Sequence, residues 1–326
     1  MTVKSNPVCL SSRKDAERVV ELFDNFLLDC DGVIWLSETL IEGVADFLRY
    51  LQLHKKNIAF VTNNSSKSRQ SYVEKFRFLG IHGIEKEQIY TTGYSAVLEL
   101  RKMGIHPGSK IWVLGDSGIE DELADEGYIA LGGSNPLLDQ PWNPKNPLLK
   151  VDPEVKAVIA GSTNDFNFMR ITTTLQYLVY DNKKIPYIGT NGDRNYPGPD
   201  GLTLPAGGSI VEYMSYCSNR PYIDVGKPSK TFADVIFYDT NFDRSKSIMI
   251  GDTLSSDIKF GNDADLGNGH GTMLVLSGVT TINELEQLIS PGSSSSHLHK
   301  AQGQDQALIP QFFVDSLTKF YNLLQS

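Results

Sequence analysis

Short apolar runs alternate with longer amphipathic segments along most of the chain. Residues 26–28, 58–61 and 248–250 are compact apolar runs, each followed at once by polar residues, which is typical of buried strands. In 42–55 and 68–79, apolar residues recur at the i, i+3, i+4, i+7 spacing of one helix face. Strands that alternate with helices in this way predict an α/β fold, with a parallel sheet covered by helices.

The middle of the chain has its own α/β pattern, which predicts a second domain. This pattern places strands near 110–114, 155–160 and 185–189, a helix over 166–180, and a further helix that follows Gly207 and Gly208 and runs to about 216. Two stretches rich in proline or glycine, 135–147 and 195–205, are predicted to be surface loops. The run 262–271 and the serine-rich segment 290–306 are predicted to be loops as well.

Length and charge narrow the class of protein. The 326 residues correspond to about two domains at roughly 150 residues each. Lysine and arginine number 30 against 39 acidic residues, so the net charge of −9 disfavours nucleic acid and anionic membranes as partners. No run approaches the roughly 20 apolar residues of a membrane-spanning helix, and we expect a cytoplasmic protein. The 3 widely spaced cysteines match neither a disulfide framework nor a zinc site.

Two acidic residues follow the first predicted strand. In parallel sheets the carboxyl ends of the strands share one edge, where ligands bind. Asp29 and Asp31 stand at i, i+2 spacing, which points both carboxylates the same way, and Gly32 permits a sharp turn after them. Such a pair suits a nucleophilic carboxylate with a neighbouring acid/base and Mg²⁺. A turn capped by an aspartate is the alternative at this point.

Three more polar clusters follow later in the chain. The sequence TNN at 62–64 offers a hydroxyl, amides and backbone N–H groups, which suit a phosphate or an ordinary helix cap. Lys227, between glycine and proline in VGKPS, is either a fixed charge for a phosphate or a solvated side chain. Asp252 and Asp257 in GDTLSSDI offer hard oxygen ligands for Mg²⁺, or they cap a helix.

The four clusters, taken in order, carry a resemblance to a known family. DCDGV, VTNNSS, GKPS and GDTLSSDI resemble the four motifs of the haloacid-dehalogenase superfamily of aspartate-nucleophile phosphatases. Within it the chain is similar to the 4-nitrophenylphosphatase and phosphoglycolate phosphatase branch, over nearly its whole length. The resemblance implies a Rossmann-like parallel-sheet core, 1–94 and 214–326, with an α/β cap domain, 95–213, inserted between the second and third motifs.

The resemblance also implies the roles of the acidic residues. Asp29 is expected to attack phosphorus and form an aspartyl phosphate, while Asp31 protonates the leaving oxygen and then activates water. Mg²⁺ is expected to be held by Asp29, by Asp252 and by the backbone carbonyl of Asp31. Asp257 is expected to orient the metal site without binding the ion itself.

Substrate contacts follow from the same resemblance. Thr62, Asn63, Asn64 and Lys227 are expected to bind the phosphoryl oxygens. Tyr196 matches a cap residue that touches substrate in pyridoxal phosphatases, where a histidine is found; this difference weighs against pyridoxal phosphate. Phe168 and Arg170 stand where the family more often has a tyrosine and a lysine.

The implied activity is Mg²⁺-dependent hydrolysis of small phosphorylated metabolites such as 2-phosphoglycolate, with 4-nitrophenyl phosphate as an artificial substrate. Pyridoxal phosphate, or another sugar or acid phosphate, is the alternative substrate. A phosphomutase and a phosphate-sensing relative without activity are the alternative functions, although the retained Asp31 argues against an inactive protein. Members of this branch often pair through their caps, so the resemblance allows a homodimer formed through the cap. We expect no nucleic-acid or membrane partner.

Overall fold

The computed structural model describes residues 6–197, 202–290 and 306–326. The strands are β1 (Val8–Cys9), β2 (Asn25–Leu28), β3 (Trp35–Leu36), β4 (Thr39–Leu40), β5 (Asn57–Thr62), β6 (Ile89–Thr91), β7 (Lys110–Leu114), β8 (Ile129–Gly132), β9 (Val155–Ala160), β10 (Tyr187–Gly189), β11 (Asn195–Pro197), β12 (Thr203–Pro205), β13 (Ile223–Asp224), β14 (Ser247–Gly251), β15 (Thr272–Val275) and β16 (Phe312–Val314).

The helices alternate with these strands. They are α1 (Arg13–Leu22), α2 (Val44–Leu53), α3 (Arg69–Phe78), α4 (Thr92–Lys102), α5 (Ser117–Asp125), α6 (Phe168–Val179), α7 (Gly207–Ser218), α8 (Lys230–Thr240), α9 (Lys259–Asp263), α10 (Ile282–Ile289) and α11 (Leu317–Gln325). Among the described helices, none is both long and apolar enough to cross a bilayer.

The described residues form two compact units. The first comprises 6–62, 75–89, 236–290 and 306–326, and the second comprises 63–74, 90–197 and 202–235. The predicted core and cap boundaries stay a prediction.

The first unit is built on a seven-stranded sheet with the order β1-β16-β15-β14-β2-β5-β6. The pairings from β1 through to β5 are all parallel. Its inner strand β2 is apolar on both faces, as a strand covered on both sides must be, and Phe26, Leu27 and Leu28 are fully buried. The predicted α/β class, with a parallel-sheet core, is confirmed.

The register of the adjacent strands β14, β2 and β5 determines which residues lie together at one edge of the sheet. Leu28 in β2 pairs with Ile250 in β14 and with Phe60 in β5. Asp29 and Asp252 therefore leave the sheet at the same edge, one residue and two residues beyond these partners.

The second unit has a five-stranded parallel sheet with the order β13-β10-β9-β7-β8. Trp112 in β7 lies in its core, where its ring stacks on Tyr177 and its indole N–H donates to Thr174 Oγ1 at 2.9 Å.

The short segment 63–74 belongs to this second unit because buried polar contacts bind it there. The Arg69 guanidinium donates to Glu122 Oε2 at 2.7 Å and lies 3.3 Å from the centre of the Tyr94 ring, and both charged side chains are almost fully buried. Burial raises the pKa of the Glu122 carboxyl, against the opposing effect of Arg69. A buried pair of this kind is costly to break, since either partner alone is left as an unpaired charge.

The predicted strands and helices are all present, with ends that differ by a few residues. One prediction is wrong: 195–205 is not simply a surface loop, because Asn195–Pro197 and Thr203–Pro205 pair as an antiparallel hairpin. The run 262–271 is also more than a surface loop, since it carries the fully buried Leu266. Most of the predicted loop 290–306 lies outside the described residues.

Candidate active site

Three buried carboxylates meet at the carboxyl edge of the central strands. Asp29, Asp252 and Asp257 each offer an oxygen within 4.8 Å of the others, and these residues are 8%, 3% and 1% exposed. Three negative charges so close together and so well shielded from water repel each other strongly unless a cation or protons compensate them. Two of the predicted metal ligands are thus brought together, and Asp257 lies directly beside them.

Backbone N–H groups hold this cluster in place. Asp257 Oδ2 accepts from the N–H of Asp252 at 3.2 Å and from that of Thr253 at 3.0 Å. Asp252 Oδ2 accepts from the N–H of Val279 at 2.7 Å, and its Oδ1 accepts from the Thr253 hydroxyl at 3.2 Å. Asp257 stands on a single π-helical turn, Leu254–Ile258, which brings its carboxylate back over the end of β14. One oxygen of Asp257 is therefore used to fix the Asp252 backbone.

Two glycines let the backbone approach the Asp252 carboxylate. A Cβ added to Gly278 would lie 2.6 Å from Asp252 Cγ, and one added to Gly32 would lie 2.7 Å from the same atom. Gly32 also has a φ of 84°, in the left-handed region that favours glycine. The sequence indicated the turn at Gly32, but Gly278 follows a later strand and no local pattern marks it.

Asp31, the predicted acid/base, lies outside the carboxylate cluster and is exposed. Its Oδ1 accepts from the indole N–H of Trp35 at 2.9 Å. Trp35 is not among the residues predicted from the sequence, although its place four residues after Asp31 could have suggested a contact across one turn.

In the second unit the structure brings Asn63 and Lys227 together. Asn63 Oδ1 accepts from the backbone N–H of Lys227 at 2.7 Å, while its Nδ2 donates to the Lys227 carbonyl at 2.9 Å and to Asp193 Oδ2 at 2.8 Å. The Asn63 carbonyl accepts from Asn191 Nδ2 at 2.7 Å. The Asn63 amide thus clamps the backbone of Lys227, a residue that is 2% exposed.

The other predicted substrate contacts have different surroundings. Thr62 ends β5 and is 2% exposed. Asn64 Oδ1 accepts from the N–H of Ser66 at 2.8 Å and from its hydroxyl at 2.7 Å, so this side chain shapes the turn before α3. Tyr196 lies on the hairpin of the second unit and is 45% exposed.

Asp224 is a partly buried carboxyl three residues before Lys227, and its pKa is raised. It lies in β13, where it accepts from the N–H of Gly226 at 2.9 Å and so shapes the turn that leads to Lys227. Burial, together with the charges of Asp193 and Glu212, raises the pKa of Asp224 to about 6 against the lowering effect of that N–H.

We expect Asp224→Asn to stabilise the protein above pH 6. The folded carboxyl keeps its proton up to about pH 6, whereas the unfolded one loses it near its ordinary pKa of 3.8, so stability falls as the pH rises through this window. Asparagine never carries the charge and can still accept from Gly226. The variant should have a Tm roughly 2–5 °C above wild type at pH 8, and a smaller gain at pH 5.

Thermal melts at the two pH values measure this, with Asp121→Asn as the control because it removes the same charge from an exposed helix position. A gain that is equal at both pH values would contradict the assignment.

The carboxylate cluster fits a hard divalent cation. Mg²⁺ and Ca²⁺ are bound in proteins by carboxylate and carbonyl oxygens. The three buried aspartates supply the carboxylate oxygens. The described residues offer no cysteine or histidine in this cluster, which disfavours softer metals.

Comparisons with known proteins place the chain among hydrolases. A family model described as haloacid dehalogenase-like hydrolase matches residues 26–129, and a second described as HAD-hydrolase-like matches 224–301. The chain is 34% identical to a 4-nitrophenylphosphatase of Schizosaccharomyces pombe, over 95% of this chain and 97% of that protein. It is 36% identical to phosphoglycolate phosphatase 2 of Arabidopsis thaliana, over 85% and 90% of the two chains.

A solved structure has the same fold. The p-nitrophenyl phosphatase from Archaeoglobus fulgidus superposes with a TM-score of 0.73 and 26% identity, over 92% of this chain and 98% of that one.

Proposed function

The chain belongs to the haloacid dehalogenase-like hydrolase family and is a phosphoric monoester hydrolase, and from this premise we propose that it hydrolyses small phosphorylated metabolites with Mg²⁺, through an aspartyl phosphate on Asp29. The observation that carries the proposal is the buried cluster of Asp29, Asp252 and Asp257 at the carboxyl edge of adjacent strands.

The metal is proposed to be held by Asp29, by Asp252 and by the backbone carbonyl of Asp31. When bound, Mg²⁺ neutralises part of the charge on the carboxylates and the phosphate, so that one anion can approach another. Asp257 fixes the backbone of Asp252 and Thr253 and so sets the direction of the Asp252 carboxylate.

Asp29 and Asp31 are proposed to divide the chemistry. A carboxylate oxygen of Asp29 bonds to phosphorus while the bond from phosphorus to the leaving oxygen breaks, and Asp31 gives its proton to that oxygen. In the second half, Asp31 takes a proton from water as the water oxygen bonds to phosphorus and the Asp29 carboxylate leaves. Both carboxylates return to their starting state.

The phosphoryl oxygens are proposed to be bound by Thr62, Asn63, Asn64 and Lys227. The lysine supplies a fixed positive charge, which stabilises the charge of the transition state more than a mobile one could. Its backbone is held on both sides by the Asn63 amide, so we assign that side chain the further task of fixing the turn.

Metal removal tests the proposed activity directly. We expect the purified protein to hydrolyse 4-nitrophenyl phosphate with Mg²⁺, to lose at least about 99% of this activity with excess EDTA, and to regain it when Mg²⁺ is restored, because the three buried carboxylates repel phosphate without the cation. Release of nitrophenolate is the measurement. Activity that survives in protein shown by elemental analysis to lack metal would overturn the proposal.

The physiological substrate is proposed to be a small phosphomonoester such as 2-phosphoglycolate, which the phosphoglycolate phosphatase relative supports. Pyridoxal phosphate is the second candidate; the half-exposed Tyr196 in place of a histidine weighs against it. A panel of phosphomonoesters ranked by kcat/KM decides between them, since specificity is the ratio of these values.

A further inference from the structure

We propose that Trp35 is a positioning residue for the acid/base Asp31: its indole N–H holds Oδ1 of the carboxylate, so that Oδ2 carries the proton that moves in catalysis. This inference rests on the proposed function, because it takes the role of Asp31 from there.

The backbone after Asp31 is shaped for this contact. The carbonyl of Cys30 accepts from the N–H of Ile34 at 2.8 Å and from that of Trp35 at 3.3 Å, and the N–H of Gly32 donates to the Trp35 carbonyl at 2.8 Å. The chain therefore makes one tight turn that returns Trp35 beside Asp31, as residues four apart do on a helix. The Trp35 indole then reaches Asp31 Oδ1 at 2.9 Å.

The Trp35 ring is held rigidly on its other sides. It is fully buried, and the Phe76 ring contacts it edge-on with 5.0 Å between centroids. Lys75 Nζ lies 4.3 Å from the ring centre and also donates to the Ser37 carbonyl at 2.8 Å, in the β3–β4 hairpin. A cation over the ring draws its electrons away from the N–H, which makes the indole a stronger donor.

A fixed donor changes what the exposed Asp31 can do. An unrestrained carboxylate on the surface samples several rotamers, and only some aim an oxygen at the leaving group. The indole N–H can only donate, so the oxygen that it holds must accept. The proton is left to Oδ2, which passes it to the leaving oxygen as the bond from phosphorus breaks, and later takes one from the attacking water.

This role predicts a dependence on the leaving group. Nitrophenolate leaves readily without a proton, whereas the alkoxide of an alkyl phosphate needs one. A misaligned Asp31 therefore slows the first half-reaction on alkyl phosphates much more than on 4-nitrophenyl phosphate. A merely structural defect lowers both by the same factor.

The test compares Trp35→Phe with wild type on 2-phosphoglycolate and 4-nitrophenyl phosphate. We expect kcat/KM to fall by roughly 10- to 100-fold on the alkyl phosphate and by less than about 3-fold on the aryl phosphate, within the range of general-acid effects. Trp112→Phe is the matched control, since it also removes a buried indole and its hydrogen bond, to Thr174 at 2.9 Å. Trp112→Phe should leave the ratio of kcat/KM on 2-phosphoglycolate to kcat/KM on 4-nitrophenyl phosphate as it is in wild type.

Equal losses on both substrates in Trp35→Phe would overturn the inference. A second measurement does not need a folded Trp35 variant: the indole N–H signal of Trp35 in an ¹H–¹⁵N spectrum should shift upfield in Asp31→Ala, while that of Trp112 stays in place. An unmoved Trp35 signal would also overturn it. A wild-type protein inactive on every phosphomonoester would instead overturn the proposed function, and the indole signal would still report the contact.

Discussion

Asp29→Asn is expected to lower phosphatase activity by at least about a thousandfold, on every substrate, because an amide is not a nucleophile and cannot form the acyl phosphate. The fold should survive the change. Asp29 lies within 4.8 Å of two other buried carboxylates, and removing one negative charge relieves their repulsion. We therefore expect a Tm no lower than that of wild type in the absence of metal, measured beside the rate of phosphate release.

Asp24→Asn is the matched control for this variant. Asp24 stands at the opposite end of the same strand, exposed to solvent and paired with Lys56 at 2.9 Å. Exposed pairs contribute little, so the change should alter activity less than about twofold. Full activity in Asp29→Asn, purified free of wild-type enzyme, would disprove its role as the nucleophile.

Gly278→Ala should weaken metal binding, although glycine has no functional group. The added Cβ would overlap the Asp252 carboxylate, which would have to turn away from its present position. We expect the Mg²⁺ concentration for half-maximal activity to rise about 10- to 100-fold, as for other changes that misplace a metal ligand. A titration of activity against Mg²⁺ measures this.

Gly93→Ala provides the control, because its Cβ would meet its nearest neighbour at an ordinary 3.5 Å and alanine favours the helix α4. An unchanged Mg²⁺ requirement in Gly278→Ala would mean that the close approach of Gly278 does not position the Asp252 carboxylate for the metal.

The sequence predicted that the aspartates Asp29 and Asp252 lie close together, because the position of each depends only on the strand just before it. Asp29 and Asp252 each follow an apolar strand, and parallel strands in register must deliver such residues to one edge. The helices were predictable for the same reason, since an amphipathic period is local. The pairing of 195–197 with 203–205 was not, because proline usually indicates a loop, whereas Pro197 and Pro205 sit at strand ends, where proline is tolerated.

The supporting contacts could not be predicted, since they join residues far apart in the chain. The Asn63 amide meets the Lys227 backbone 164 positions later, and Val279 reaches Asp252 across 27. Nothing in the local pattern around Asn63 distinguishes a clamp from a phosphate ligand. Trp35 is different: it is close in sequence to Asp31, but apolar neighbours give an indole the pattern of an ordinary core residue.

The second unit is composed of two separate stretches of chain. This limits how such enzymes can be recombined. A gene fragment that encodes only 90–235 would omit Arg69 and leave the Glu122 carboxylate buried without its cation, at a cost of about 3–5 kcal/mol. This unit is therefore not an interchangeable module with two ends. A chimaera that exchanges it with a relative's, whether made in the laboratory or by gene fusion in evolution, has to carry 63–74 along with it.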